Sequence, residues 1–338
     1  MGIIEYTIPK NSNRSMSDTD GVLKKPGFII YILFILFIPQ LVSLFKLVEY
    51  STEFENSYVN VILIYLVYYF LIYLFNSNKE STLISFAKSC LREPVIYFIL
   101  LYVVLFLGIG SRTIPLRIVL LCLFLFNFYV KKISNIQIVL IIIAGALCLA
   151  VVGITREGAV MDENSFSTIW DIGSDLTINN RSLYVLMEYV DKHGYTYGQT
   201  MLMGLLSVIP FMQSLFLTLT GMDNDMISSG GLVTSLQYSK GDPDRIGLGT
   251  NLIGDIYVSF GVIGVVLLMF LLGKFLRNIN RSCQRGNILG IIIYSMVFID
   301  AVYLSRSSFL ACVRAIAWVY AIYYLYNKNK KKLNTNRT

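Results

Sequence analysis

"GLGTNLIGDIYVSFGVIGVV" occupies residues 247–266. It has the length and apolarity of a bilayer-crossing helix, which needs about 20 predominantly apolar residues. Yet Asn251, Asp255 and Ser259 recur at every fourth position in its first half, a spacing that puts them on one helix face. Such a face is expected to look into a cavity or onto a neighbouring helix. Facing hydrocarbon, a charged side chain costs roughly 2.5–3.5 kcal/mol on insertion scales. Gly254, Gly261 and Gly264 leave room for close helix packing. The stretch reads as a membrane helix whose outer part is turned toward protein.

The rest of the chain is as apolar. Of its 338 residues, 55% are hydrophobic and 14% are charged, where a soluble protein carries roughly a quarter charged. Its mean hydropathy is +0.64. Apolar runs fall at 27–47, 57–75, 95–109, 113–130, 134–153, 250–272, 287–304 and 308–326. The expected fold is an all-α, polytopic transmembrane helix bundle of about 8–10 spans. A further stretch, 200–220, is apolar but broken by Pro210, which suits a bent, re-entrant or surface-lying segment. No cleavable signal is expected, because residues 1–26 are polar and the first apolar run is too long for one.

Lysine and arginine orient the spans. Lys24 and Lys25, then Lys79, Lys88 and Arg92, then Lys131 and Lys132, then Lys274, Arg277, Arg281 and Arg285, and finally Lys328 to Lys332 all fall on one side. That side is cytoplasmic if both termini are. The net charge of +7 therefore reflects orientation and not a nucleic-acid partner. The expected organisation is a cytoplasmic tail (1–26), an N-terminal bundle (27–153), a large outer loop (154–249), a C-terminal bundle (250–326) and a basic cytoplasmic tail (327–338). The outer loop is net acidic. None of the five cysteines falls within it or forms a CxxC pair, so neither a disulfide framework nor a structural metal is expected.

The charges near the spans are one-sided. Arg112, Arg117, Asp255, Asp300, Arg306 and Arg314 all fall within roughly 10 Å of the outer surface at 1.5 Å per residue. Asp255 or Asp300 paired with Arg117 or Arg314 would simply hold the bundle together. Taken as a set, the charges point to an outward-opening cavity. Guanidinium groups recognise phosphate oxygens in bidentate fashion and keep their charge, so such a cavity suits an amphiphilic phosphate or diphosphate. No nucleotide pool exists outside the membrane, so a transferase there requires a donor already activated. The chain has no Walker loop, HExxH or GxSxG pattern. His193, the only histidine, lies in "DKHGYTYG" of the outer loop. A solvated bystander and a catalyst both fit that position.

Five stretches carry a family likeness: "GSRT" at 110–113, "TREG" at 155–158, the run "NRSLYVLMEYVDKHGYTYGQTMLMGLLSVIP" at 180–210, "GLGTNLIGDIYVSFGVIG" at 247–264, and "SRSSF" at 305–309. In their order and placement between spans the chain resembles the O-antigen polymerases, the Wzy-type oligosaccharide repeat-unit polymerases. The resemblance implies a GT-C-like architecture and a glycosyl transfer on the periplasmic face of the bacterial inner membrane that needs no metal or other cofactor. Undecaprenyl-diphosphate-linked oligosaccharides would be the substrates, and a repeat-unit flippase and a chain-length regulator the partners. An O-antigen ligase shares the architecture and donor. A transporter of lipid-linked sugars fits less well, since alternating access favours a site near the midplane. On this reading Arg112, Arg156, Arg181, Arg245 and Arg306 grip diphosphate. Asp255 and His193 are the catalytic candidates, Asp255 as base or as an arginine-orienting group. Asn251, Asp300 and Arg314 support them. A helix starting near Thr250 would offer free N–H groups to an anion.

Overall fold

The computed structural model describes residues 58–78, 83–108, 113–141 with 143 and 145, 181–242, 247–301 and 303–335. Among them the secondary structure is entirely helical. The expected span at 27–47 and most of that at 134–153 lie outside the described residues.

Helix α1 (Tyr58–Ser77) is apolar all round and buried nearly all round from Leu63 to Phe75, as a central helix must be. Helix α2 (Leu83–Arg92) was read from sequence only as a basic connection, but "LISFAKSCLR" is amphipathic. Its Phe86 is buried against Phe75, ring centroids 4.7 Å apart, while Ile84 and Leu91 are exposed. Pro94 then forces the preceding residue out of helical geometry, and α3 (Pro94–Gly108) leaves at 84° to α2. Helix α4 (Thr113–Tyr129) tolerates Pro115 in its first turn. Residues 135–141 begin a fifth helix, α5.

Within the stretch expected from sequence to be the outer loop, residues 181–193 form α6. The 200–220 stretch has no continuous helix long enough to cross a bilayer. A 3₁₀ turn (Gln199–Met201), α7 (Leu202–Leu206) and α8 (Met212–Thr220) are separated by the Pro210 turn, where Phe211 is left-handed at φ 62°. Trp318 Nε1–H donates to the Val208 carbonyl at 3.0 Å, docking this turn on the last helix. Met203, Leu205, Ile209, Phe211, Leu215 and Leu219 remain exposed. A second 3₁₀ turn (Asn224–Ile227) leads into α9 (Ser229–Gln237), capped by the Ser228 hydroxyl.

Helix α10 (Leu252–Gln284) runs 33 residues, about 50 Å, well beyond the roughly 30 Å of a hydrocarbon core. It is not one helix. Gly261 breaks it at φ 67°, ψ −163°, a region that glycine alone occupies without strain. The break strands the carbonyls of Val258 and Ser259, and the loop after α6 supplies their donors. Thr196 N–H reaches Val258 O at 2.9 Å and Tyr197 N–H reaches Ser259 O at 3.1 Å. The Tyr195 hydroxyl lies 2.8 Å from where a Cβ on Gly261 would project. Below the break, Val262, Ile263, Val266, Leu267, Phe270 and Leu271 are exposed apolar residues. A tight turn at Gly286 then returns the chain as α11 (Ile288–Ala301). A 3₁₀ turn (Leu304–Arg306) joins it to α12 (Val313–Thr335).

Among the described residues two hydrophobic cores result. The larger joins α1, α3, α4, α11 and α12. The smaller consists of Leu186, Val190, Leu232, Val233 and Val258, from α6, α9 and the upper half of α10. The Gly261 break separates them.

Candidate functional site

The polar face of the opening stretch turns inward, and its three residues do three different jobs. Asn251 is the N-cap of α10, its side-chain oxygen accepting from Ile253 N at 2.9 Å and Gly254 N at 3.2 Å. Those N–H groups are therefore satisfied within the helix and are not the anion cradle expected at this helix start. Ser259, fully buried, meets the Thr200 hydroxyl at 3.1 Å. Asp255, also fully buried, accepts from the backbone N–H of Phe309 at 2.8 Å through Oδ2. Its Oδ1 has no hydrogen-bond partner among the described residues, although the Ser229 hydroxyl interacts with the same carboxylate. Ser229 Oγ in turn accepts from Thr250 at 2.8 Å.

Glycines allow this cluster to close. A Cβ on Gly254 would sit 2.9 Å from Leu186 Cδ1, so α6 and α10 pack backbone to side chain as their small residues suggested. Gly249, at φ 71°, lets the chain turn into α10, and the Arg306 side chain lies alongside it, 3.7 Å from an ideal Cβ. Asp255 thus holds the backbone of the turn that carries Arg306, and Arg306 lies over the entrance to α10. Arg306 is exposed.

The other sequence candidates are more scattered. Arg181 donates to the Gln237 side chain at 2.8 Å. His193 is exposed, stacked on Tyr189 with centroids 4.6 Å apart, and its Nδ1 lies 3.3 Å from the Tyr189 carbonyl. Those two residues bracket α6 and stand about 18 Å apart along its axis, too far to share one phosphate. Arg112, Arg156 and Arg245 lie outside the described residues.

Asp300 belongs to a separate cluster. Its Oδ1 pairs with Arg117 Nη2 at 3.0 Å, as the bundle-clamp alternative anticipated, and Arg314 contributes to the same electrostatic field. The Arg117 guanidinium lies 5.4 Å from the Tyr303 ring centroid. Among the described residues no group of three or more His, Cys, Asp or Glu is placed to hold a metal ion.

Sequence reasoning missed Ser229 and Thr250, which bear no charge. The available signal was "SSGG" at 228–231: a serine cap, then glycines that admit the close approach of Asp225 and Gly249.

A family model for the O-antigen polysaccharide polymerase Wzy matches residues 4–327, nearly the whole chain. The chain belongs to that family. It is an O-antigen polymerase of an integral membrane family, a polymerising glycosyltransferase acting on lipid-linked oligosaccharides. No curated protein matches this polymerase. No solved structure matches it either.

Proposed function

We propose that this polymerase joins undecaprenyl-diphosphate-linked repeat units at the periplasmic end of a GT-C-like bundle of about 8–10 spans, with both termini cytoplasmic. A hydroxyl on the non-reducing end of one lipid-linked unit attacks the anomeric carbon of the donor chain. The new C–O bond forms as the bond to the donor's diphosphate breaks. The diphosphate leaves with that electron pair, still attached to its lipid, and the acceptor proton passes to a base or to the departing diphosphate.

The observation that carries this reading is the meeting of Asp255, Ser229, Thr250 and Arg306 at the outer end of α10, directly above the Gly261 break. It supports a membrane span beginning at the break, because Val262–Gln284 is about 34 Å long and its upper half is exposed and apolar. Asp255 then belongs to the outer unit. Its burial favours a positioning role, holding the Arg306 turn, over that of a base that must meet an acceptor hydroxyl. Arg306, with Arg112, Arg156, Arg181 and Arg245 contributed from the outer loop and span ends, neutralises the diphosphate as charge builds on it. This scheme requires no cofactor. The exposed apolar residues of α7 and α8 suit a segment that dips into or lies on the outer leaflet. A repeat-unit flippase would deliver substrate and a chain-length regulator would limit the product.

Deleting the gene and running surface lipopolysaccharide on a gel tests the reading. Core carrying a single repeat unit, with the ladder gone, is expected. Wild type should restore the ladder and Arg306→Ala should not. An unchanged ladder in the deletion strain would overturn the assignment, and core with no repeat unit would favour a ligase or flippase.

A further inference from the structure

The Arg117–Asp300 cluster holds more positive charge than a clamp requires. Two guanidinium groups, Arg117 and Arg314, line a cavity of about 100 Å³ together with one carboxylate, Asp300. Arg314 makes no ion pair at contact distance with an acidic residue among the described residues. Two further donors are left over. The Tyr68 hydroxyl is buried and has no hydrogen-bond partner among the described residues, and neither has Arg117 Nε. Tyr68 is 2% exposed and lines the same cavity. Unsatisfied buried donors beside an excess cation are costly unless an acceptor arrives. The complementary ligand is a compact oxyanion.

A second, larger cavity of about 760 Å³ runs between α10 and α11 and is lined mainly by apolar side chains. The two meet at Asp300, which lines both. Ala311 and Cys312, adjacent in the chain, face one each. A charged pocket that opens onto an apolar groove matches a phosphate head with a hydrocarbon tail. The groove has the volume of sites that enclose whole small ligands, enough for several isoprene units.

We propose that Arg117, Arg314 and Tyr68 receive a phosphate group of a polyprenyl-linked molecule whose tail lies along the α10–α11 groove. This is a second lipid-phosphate site, separate from the Asp255–Arg306 cluster. A reaction between two lipid-linked substrates calls for two such sites, and the choice of a polyprenyl lipid rests on the polymerase reading. A bilayer phospholipid offers the same head-and-tail chemistry. It would sit the other way up, its head at Arg277 and Arg281, which line the groove's far end.

Gly273 gives an unusually clean test. It lines the groove, and a Cβ there would meet nothing within 4 Å, so Gly273→Trp fills the groove without disturbing the helix. The full-length protein in detergent is titrated with farnesyl diphosphate, with farnesol and phosphatidylglycerol as comparison probes. Arg314→Gln and Gly273→Trp are each expected to weaken farnesyl diphosphate binding at least tenfold. Arg314→Gln should leave farnesol binding unchanged, and Arg314→Lys should recover part of the loss. Thermal midpoints of the ligand-free variants, close to wild type, would exclude a folding defect. The proposal is overturned if the wild type does not bind farnesyl diphosphate or if both variants bind it normally. It is overturned equally if phosphatidylglycerol competes fully and Arg277→Gln, not Arg314→Gln, abolishes binding. The polymerase reading is judged apart, by the ladder of the deletion strain. A lost ladder with normal binding by both variants would sink only the second site, and weakened binding with an intact ladder would sink only the polymerase reading.

Discussion

Asp255 and Asp300 are both buried, and the sequence puts both near the outer ends of their helices. They are nonetheless stabilised in different ways. Asp300 sits in the larger core and answers a guanidinium across two helices. Asp255 sits beside the smaller core with no guanidinium paired to it among the described residues, and it is held by a backbone N–H and a neighbouring hydroxyl. An ion pair fixes side chains to each other, whereas a carboxylate on a backbone amide fixes the path of a loop. In this protein the loop so fixed is the one that presents Arg306.

Substitutions at these two aspartates, and at His193, probe that contrast. Asp300→Ala leaves Arg117 without its counter-charge. Removing one member of a buried pair costs about 3–5 kcal/mol. Because the Arg117 side chain is 33% exposed, the lower end is expected, read as a fall in thermal midpoint. The double variant Arg117→Met, Asp300→Leu should recover most of that loss in stability. If the single and double variants fell equally, the pair would not be the clamp described. Asp255→Ala strands the Phe309 N–H at a cost of about 1–3 kcal/mol and should abolish the ladder. Asp255→Asn still offers an oxygen to that N–H and should retain most of it. Complete loss with Asn, at normal protein level, would instead make Asp255 a base. His193→Ala should shift stability by no more than about 0.5 kcal/mol and leave the ladder intact, since it is exposed and, among the described residues, its polar and ring contacts are with Tyr189. A lost ladder there would move the chemistry to the lower end of α6.

Much of the helix content was legible because α1, α3, α4 and α11 are apolar runs bounded by polar or proline-containing turns. Their bounds differ from the sequence reading by a few residues. The inward face of Asn251, Asp255 and Ser259 was legible from its spacing, and the Pro210 break from the residue itself. The amphipathic α2 was hidden in a basic connection, because short helices with one buried aromatic leave little periodic signal. The break at Gly261 was invisible too. It lies in an unbroken apolar run, and only donors from residues 196 and 197, far away in the chain, make it tolerable. Pairings such as Phe309 with Asp255, or Arg117 with Asp300, depend on tertiary approach that no local pattern encodes.

The Gly261 break also constrains how the chain can vary in length. Leu186 packs on Gly254 while Thr196 and Tyr197 bond to Val258 and Ser259, so α6 with its following loop and upper α10 are matched like two edges of a seam. Inserting or removing one residue between those contact points would throw donors out of step with acceptors. On the α10 side it would also turn Asp255 away from the Phe309 N–H. Insertions should therefore be tolerated in the exposed turn around Gly241, outside the seam, and rejected between Leu186 and Gly198.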